Sequence, residues 1–491
     1  MARRASSGRG PLALLVLCSL LLNVSCSVNP ATGKQQLSFY DEAEEIEMGR
    51  EADAEIVASA GLYDDPELQE YVEELGQRLA AESERPHLPW SFKVLDDPAV
   101  NAFALPGGYV YVTRGLLTHM ESEAELAGVI GHEIGHVTAR HSVNQASKQM
   151  LAMVGLGLAA LLSPELEDWA GAASVGAAFL FLKYGRDDER QADDLGLRYM
   201  SRSGYDPREM PGVFAVLDGV QQAEGGGGMP AWLSTHPDPG RRQERMAEAV
   251  AALDGDFESA MVHRDEYLRR LDGIVFGGNP RDGFFEGNAF VHPDLRFRFE
   301  FPEGWEASNE PGSVSATSPA EDAYLQITLA DHPSAEAAAD AFFEEEGLTR
   351  GDSWEKKIHG LPAAWTRFEY LDPAETADAA SALSGTVAFV EHGEQIFQLL
   401  ALSGPDEWKK QRRLLEDTLA SFSRLDDPEA LGVQPRRLRL VKISRAMTLE
   451  DFDRQYPSSI EMPLLALINH VQPGDTLRAG TLVKRVVEGD R

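Results

Sequence analysis

Cationic residues are scarce in this sequence. It has 45 lysines and arginines against 80 aspartates and glutamates, which gives a formal net charge of −35. Nucleic-acid binding draws on clustered lysine and arginine side chains that neutralise phosphates, so we expect no nucleic-acid partner. The excess of acid is typical of a solvated protein surface.

Cysteine is nearly absent, since Cys18 and Cys26 are the two in the chain. Cys18 lies in the apolar run of residues 11–22, which follows the cationic "MARRASSGRG", and this order is typical of a secretory signal. Removal of residues 1–25 would leave one cysteine and therefore no intramolecular disulfide. Cys26 ends "LNVSC", which resembles a bacterial lipobox. We therefore expect a lipidated Cys26 that attaches an exported, periplasmic protein to the outer membrane, with ordinary cleavage and a free thiol as the alternative.

Hydrophobic runs long enough to span a bilayer are also missing from the sequence. "MLAMVGLGLAALL" and "WAGAASVGAAFLFL" are separated by Ser163, Pro164 and Glu165, and each is shorter than the roughly 20 residues that span a bilayer. We expect these two stretches to form a buried helical hairpin, and membrane contact is the alternative.

The length and the changing periodicity of the chain predict a multidomain α+β protein. At roughly 150 residues per domain, 491 residues correspond to two to four domains. Helical periodicity dominates residues 26–272, apart from a small β-hairpin around residues 101–112. Alternating strands followed by a helix then predict an antiparallel α+β domain over residues 283–424. A small module occupies residues 435–487.

The strongest chemical signal is "GHEIGHVTARH", residues 131–141. On a helix, His132 and His136 are four residues apart and therefore lie on one face, where both imidazoles reach one metal ion. Glu133 is rotated by about 100°, close enough to contact a metal-bound water. The alternative is a set of surface or N-cap histidines. His141 would lie about 140° around the helix from His136, which favours a structural or supporting role.

A catalytic zinc site usually takes three protein ligands, so a third donor must come from elsewhere in the chain. "YGRDDERQADDLG" contains Glu189, with Asp193 one turn later. Together the two motifs resemble the HtpX and BepA type zinc metalloproteases, a gluzincin group that pairs HExxH with ExxAD. This resemblance implies one Zn²⁺ per chain, with His132, His136 and Glu189 as ligands and Asp193 orienting a ligand histidine.

Further stretches are similar to the BepA-like branch, in the same order. They are "NPATGKQQLS", "NAFALPGGYVYVTRGLL" and "LSTHPDPGRRQERM", so the resemblance covers residues 27 to about 250. It implies that His236 lies at the active site and either stabilises the oxyanion or caps the zinc in a latent state. The alternative is a loop histidine. The tetratricopeptide repeats of BepA have no counterpart here, so its partner contacts are not carried over.

The predicted function is that of an exported zinc endopeptidase for unfolded or misassembled envelope proteins, with Glu133 as general base. We expect the substrate to add a strand at a sheet edge formed by Asn101, Ala102 and Phe103. Two alternatives are a zinc-bound chaperone or assembly factor for outer-membrane proteins with latent protease activity, and a factor tethered to the cell wall.

The two C-terminal regions carry weaker resemblances. Residues 283–424 are similar to PsbP-like domains, and we assign no chemistry to them. Residues 435–487 resemble a LysM module, a family that binds peptidoglycan. The opening Gly-Asp of that family is replaced here by Arg445 and Ala446.

Overall fold

The computed structural model describes residues 25–148, 183–223, 232, 235, 236, 239–371 and 382–489. Residues 1–24 of the predicted signal peptide and the two apolar stretches lie outside the described residues. The described chain forms two compact units, one reaching Gly277 and including Arg436–Val487, the other spanning Gly278–Pro435. In the part of the chain that is described, no helix has the length and apolar character needed to cross a membrane.

The first unit starts with an antiparallel pair of strands, β1 (Ser25–Val28) and β2 (Gln35–Ser38). Two helices follow, α1 (Glu42–Ala60) and α2 (Pro66–Ala80). Each helix is preceded by an aspartate that caps its N-terminus. The aspartate side chain accepts a backbone N–H of the first turn, which otherwise has no partner within the helix.

A three-stranded sheet comes next, formed by β3 (Ser91–Leu95), β4 (Ala102–Leu105) and β5 (Tyr109–Thr113). The strand order is β3-β5-β4, with β4 and β5 antiparallel and β3 parallel to β5. The predicted hairpin is thus present, and its turn passes through Gly107 at a φ of 80°, a conformation that favours glycine. β4 is an edge strand of this sheet among the described residues.

Helices complete the unit. They are α3 (Arg114–His119), α4 (Glu123–Thr138), α5 (Arg186–Arg202), α6 (Met210–Ala223), α7 (Pro239–Ala251) and α8 (Arg264–Arg270). α4 is buried along its whole length and contacts α2, α5, α6 and β4. Ser122 caps its N-terminus, and the Ser122 hydroxyl accepts the backbone N–H of Glu125. The helix that carries HExxH is therefore the centre of the unit.

The sequence predicts that this helix continues through His141, but α4 ends at Thr138. Arg140 has a φ of 60°, the left-handed region, which breaks the helix before residues 141–148 become helical again. Such a conformation costs an arginine about 1–2 kcal/mol. The Arg140 guanidinium offsets this cost, because it donates to Glu45 Oε2 at 2.9 Å and to the Tyr40 carbonyl at 2.9 Å.

The second unit is an antiparallel α+β structure, as the alternating pattern predicts. Its strands are β6 (Phe284–Glu286), β7 (Ala289–His292), β8 (Phe297–Glu300), β9 (Glu306–Glu310), β10 (Ser313–Thr317), β11 (Ala323–Ala330), β12 (Leu348–Glu355), β13 (Ala363–Tyr370), β14 (Leu383–His392), β15 (Gln395–Ser403) and β16 (Ser423–Arg424). Its helices are α9 (Ala335–Phe342), α10 (Pro405–Leu419) and α11 (Pro428–Leu431). Seven strands form one sheet in the order β12-β13-β14-β15-β11-β10-β9, and β16-β8-β7-β6 form another.

The last segment, Arg436–Val487, belongs to the first unit. It contains β17 (Arg437–Lys442), β18 (Met447–Thr448), α12 (Leu449–Gln455), α13 (Met462–Ile468), β19 (Thr476–Leu477) and β20 (Leu482–Val487). Apolar side chains of this segment share one hydrophobic core with the helices around α4. Most of the small module predicted over residues 435–487 thus contributes to the core of the first unit.

The chain leaves and re-enters the first unit at neighbouring positions. Gly273 N donates to the Leu438 carbonyl at 2.8 Å, and Leu438 N donates to the Ile274 carbonyl at 2.9 Å. Phe276 N donates to the Arg436 carbonyl at 2.8 Å. Because these backbone groups pair directly, the second unit is an insertion within the chain of the first.

Lys484 on β20 ties the final segment to the start of α4. Its ammonium is fully buried, lies 3.1 Å from Glu121 Oε1 and donates to the Met120 carbonyl at 2.9 Å. Removing one partner of a buried ion pair costs about 3–5 kcal/mol, because the other charge stays buried without compensation. We expect Lys484→Ala to destabilise the first unit by this amount, as measured by native-state hydrogen exchange of the α4 amides.

Lys442→Ala is the matched control, since Lys442 lies on the paired strand β17 and is exposed. It should leave the exchange of the α4 amides unchanged. Equal exchange rates in the two variants would contradict the anchoring role of Lys484.

Candidate metal centre

Small residues allow α4 and α5 to approach until their backbones touch. A Cβ added to Gly196 on α5 would lie 2.8 Å from the His132 backbone nitrogen. A Cβ added to Gly135 on α4 would lie 3.0 Å from the Ala192 carbonyl oxygen. Larger residues at these positions would push the helices apart. The close approach places Glu189, in the first turns of α5, beside the two motif histidines.

Four buried side chains from three parts of the chain converge here. His132, His136, Glu189 and His236 each direct one ligand atom to a common region, and these atoms lie within 4.8 Å of one another. His132 Nε2 is 3.0 Å from His136 Nε2 and 3.7 Å from Glu189 Oε2. His136 Nε2 is 3.5 Å from Glu189 Oε1. The structure therefore brings together the three ligands predicted from the sequence.

This donor set fits a zinc ion. Zinc binds histidine nitrogen and carboxylate oxygen at about 2.0–2.1 Å in tetrahedral geometry, which separates two donors by roughly 3.3 Å. The three separations between donor atoms of His132, His136 and Glu189 are 3.0 Å, 3.5 Å and 3.7 Å, which lie on both sides of that value. The buried carboxylates of Glu133, Glu189 and Asp193 also outnumber the guanidinium groups of Arg242 and Arg245 that lie beside them, and a bound cation would offset the remaining negative charge.

His236 occupies the position of a fourth donor. Its Nδ1 lies 3.4 Å from His132 Nε2 and 2.9 Å from Glu189 Oε1. Its ring stacks on Trp232 with the centroids 4.8 Å apart. Burial opposes protonation of His236, but the carboxylates of Glu189 and Glu133 outweigh it and raise its pKa. The structure thus brings the downstream histidine to the motif, as the resemblance predicts.

Glu133 lies beside the cluster without joining it. It is 1% exposed, and its Oε1 is 3.7 Å from His236 Nε2. Within the described part of the chain this oxygen has no hydrogen-bond partner. Burial raises the pKa of the Glu133 carboxyl. A buried carboxyl with a free oxygen and a raised pKa can exchange a proton with a group at the cluster.

Asp193 supports His132 from behind. Its Oδ1 is 3.0 Å from His132 Nδ1, so His132 keeps Nε2 directed at the cluster. Although burial opposes ionisation, the guanidinium of Arg242 and the contact with His132 hold the pKa of Asp193 well below its usual range. The predicted role of Asp193 in orienting a ligand histidine has this contact as its geometric basis.

Sequence reasoning missed Arg242. This buried guanidinium is 2.7 Å from Glu189 Oε2 and donates to Asp193 Oδ1 at 2.6 Å. Its Cζ lies 4.7 Å from the ring centroids of both Phe214 and Trp232, so two aromatic faces hold it. The available signal was its position in "STHPDPGRRQERM", six residues after His236 and at the start of α7.

The residues predicted to bind a substrate strand lie at the edge of the three-stranded sheet. Ala102 and Phe103 are the first residues of β4, and Asn101 precedes them. β4 contacts the metal helix α4. Phe103 stacks on Tyr111 at 4.8 Å, while Asn101 Oδ1 is buried and lacks a hydrogen-bond partner among the described residues. Cys26 lies on β1, opposite Leu37 of β2.

Comparison with known proteins gives an independent result. Residues 66–250 match the model of peptidase family M48. The chain is similar to the mitochondrial metalloendopeptidase OMA1 of Arabidopsis thaliana, with 37% identity over 205 residues, 42% of this chain and 40% of that protein. It is also similar to the beta-barrel assembly-enhancing protease of Escherichia coli K12, with 32% identity over 237 residues, 46% of this chain and 47% of that protein.

These alignments span less than half the length of either relative. Among solved structures, cyanobacterial PsbP from Synechocystis sp. PCC 6803 aligns with 13% identity and a TM-score of 0.23, covering 28% of this chain and 91% of that one. A score of this size is too low to support a common fold, so the PsbP-like resemblance of residues 283–424 stays a prediction.

Proposed function

We propose that this protein is a zinc-dependent endopeptidase that cleaves unfolded or misassembled envelope proteins, and the match of residues 66–250 to the model of peptidase family M48 supports this proposal. One observation carries this proposal. His132, His136 and Glu189 converge beside Glu133, whose Oε1 has no hydrogen-bond partner among the described residues, and all four side chains are buried. Three donors next to a separate acid or base are what zinc-dependent hydrolysis requires.

His132 and His136 would hold the ion through Nε2, and Glu189 through a carboxylate oxygen. When bound, zinc supplies Lewis acidity, which polarises the scissile carbonyl and makes a water molecule more acidic. Asp193 keeps the His132 ring in place through the contact at Nδ1. Arg242 offsets the charges of Glu189 and Asp193 and holds both carboxylates in position.

Glu133 moves the protons. In the proposed reaction its carboxylate accepts a proton from the attacking water and then delivers it to the amine of the departing peptide. The raised pKa that burial causes makes Glu133 a stronger base than an exposed glutamate. His236 approaches the same region with Nε2 3.7 Å from Glu133 Oε1, where a protonated imidazole would hold negative charge that develops on the carbonyl oxygen.

Substrate would bind as an added strand at the free edge of β4. Asn101, Ala102 and Phe103 begin this edge, and the contact of β4 with α4 supports a peptide path toward the cluster. Strand addition uses main-chain hydrogen bonds, so it selects for extended, unfolded chain more than for particular side chains.

Envelope proteins are the proposed substrate class, and two features support this. One relative is named a beta-barrel assembly-enhancing protease. The chain also carries a signal-like N-terminus and a lipobox-like sequence at Cys26. Attachment to the outer membrane through lipidated Cys26 is part of the proposal. A peptidoglycan contact of residues 435–487 belongs to the alternative of a factor tethered to the cell wall.

The position of His236 favours a second candidate function, a latent protease that acts mainly as an assembly factor. Catalytic zinc sites keep one coordination position open for water or substrate. His236 Nδ1 lies close enough to His132 and Glu189 to complete a closed set of four donors. Access of substrate would then require His236 to move away.

Casein cleavage by the zinc-loaded protein tests both functions. We expect slow cleavage that chelation abolishes and added zinc restores. If His236 closes the fourth position, His236→Ala should cleave several-fold faster, and if His236 stabilises the oxyanion, His236→Ala should cleave more slowly. His87→Ala, at an exposed histidine, is the control and should behave like the unchanged protein. Absence of cleavage by both the zinc-loaded protein and His236→Ala would refute the endopeptidase. Slower cleavage by His236→Ala would refute the closed arrangement.

A further inference from the structure

His136 has two ring nitrogens with different neighbours. Its Nε2 faces the donor cluster, 3.0 Å from His132 Nε2 and 3.5 Å from Glu189 Oε1. Its Nδ1 lies 3.0 Å from Nδ1 of His141. A hydrogen bond between these two Nδ1 atoms requires one of them to donate and the other to accept. Which imidazole donates decides whether Nε2 of His136 can bind a metal.

The other nitrogen of His141 settles this direction. His141 Nε2 is 3.2 Å from Gln191 Oε1, an amide oxygen that can only accept. His141 therefore carries its proton on Nε2 and accepts at Nδ1 in the neutral form. His136 then donates from Nδ1, and its Nε2 is left with a lone pair that points at the cluster, as a metal ligand needs.

Asn29 fixes which way the Gln191 amide faces. Gln191 Nε2 donates to Asn29 Oδ1 at 3.3 Å, which leaves Gln191 Oε1 directed at His141. Asn29 is itself buried and held, since its Nδ2 donates to the Ala139 carbonyl at 3.2 Å. Its Oδ1 also accepts the Ala31 backbone N–H at 3.0 Å, within the turn that joins β1 to β2. A second orientation of the Gln191 amide would bring its NH₂ against the Nε2–H of His141.

The break in α4 makes this arrangement possible. On a continuous helix His141 would lie about 140° around the axis from His136. Because Arg140 adopts a left-handed φ of 60°, the chain turns and places the His141 ring 4.9 Å from the His136 ring, at 74° between their planes.

We propose that Asn29, Gln191 and His141 form a positioning chain that sets the tautomer and orientation of His136 for zinc binding. The proposal rests on the proposed function only in taking zinc as the bound metal. His132 is oriented by the charged pair of Asp193 and Arg242. His136 is oriented through His141, whose Nε2 lies 3.2 Å from the neutral Gln191 amide and 3.8 Å from the carboxylate of Asp188. In this proposal the turn that holds Asn29, shortly after Cys26, supports the metal centre through Gln191 and His141.

Zinc affinity of the full-length protein, measured by competition with a chromophoric chelator, tests the chain. Gln191→Met keeps the side-chain shape but removes both hydrogen bonds, and we expect it to weaken zinc binding by about 10–100-fold. Gln191→Glu retains an acceptor for His141 and should stay within a few-fold of the unchanged protein. His141→Phe, which keeps a ring without nitrogens, should weaken zinc binding at least as much as Gln191→Met.

Gln145→Met is the matched control, because the amide of Gln145 donates to the Lys183 carbonyl at an exposed site on the helical segment after His141. It should bind zinc like the unchanged protein. A purely structural role predicts instead that Gln191→Met lowers the thermal unfolding midpoint of the zinc-free protein and leaves zinc affinity unchanged. That result, or equal zinc affinity of Gln191→Met and Gln145→Met, would overturn the proposal.

Different results would refute the proposed function and the positioning chain. Zinc bound tightly by the unchanged protein and weakened in Gln191→Met, with no casein cleavage by either the unchanged protein or His236→Ala, would refute the endopeptidase and support the chain. Cleavage and zinc affinity that are both unaffected in Gln191→Met would refute the chain and support the endopeptidase.

Discussion

Replacing Glu133 with glutamine is expected to slow casein cleavage by about 10²–10⁴-fold while the zinc content stays at one ion per chain. Glutamine has nearly the same shape but cannot accept and return a proton. Glu133 Oε1 has no hydrogen-bond partner in the described structure, so the substitution breaks no hydrogen bond of that oxygen. Cleavage measured with zinc analysis on the same sample separates loss of the base from loss of the metal.

The control for this experiment is Glu74→Gln, an exposed glutamate on α2. It should leave both cleavage and zinc content unchanged. Undiminished cleavage by Glu133→Gln would refute its role as general base, and loss of zinc from that variant would show that Glu133 holds the metal instead.

Replacing Glu189 with alanine is expected to remove zinc, and with it all cleavage. Glu189 is the predicted third ligand and comes from α5, with its oxygens 3.5 Å and 3.7 Å from the two motif histidines. The loss of a direct ligand should exceed the 10–100-fold weakening that is typical when an outer partner of a ligand is removed. The zinc-to-protein ratio after dialysis against a chelator measures this effect.

Asp194→Ala offers a close control on the same helix. Asp194 is an exposed acid whose carboxylate pairs with Arg245 at 2.6 Å, away from the donor cluster. Its replacement should leave zinc bound. Full zinc occupancy in Glu189→Ala would exclude it as the third ligand and leave His236 as the remaining candidate among the clustered residues.

Several features of the site could be predicted because they depend on local geometry. Residues four apart on a helix share a face, so "HEIGH" predicts that His132 and His136 act together wherever the helix lies. The resemblance of "ERQAD" and "STHPDPG" to a known family then indicated Glu189 and His236. Glycines at positions 131, 135 and 196 mark the close contact of α4 and α5, a signal that sequence reasoning did not use.

Other features depended on breaks and contacts that periodicity does not report. The continued helical pattern through residue 141 hides the left-handed Arg140, whose conformation is stabilised by Glu45 from another helix. His141 therefore lies beside His136, and not on a distant face. Arg242 was missed because a single arginine in a charged stretch has no distinguishing spacing.

The sequence by itself determined two local features: two imidazoles on one face of a helix, and an alternating strand pattern over residues 283–424. The resemblance indicated Glu189 and His236, and only the tertiary structure decided how these distant groups meet the two imidazoles. Convergence of Glu189, His236 and Arg242, and inclusion of Arg436–Val487 in the first unit, follow from packing between segments far apart in the chain. Spacing along a helix or strand fixes neighbours within that element, whereas contacts between elements depend on how whole surfaces fit.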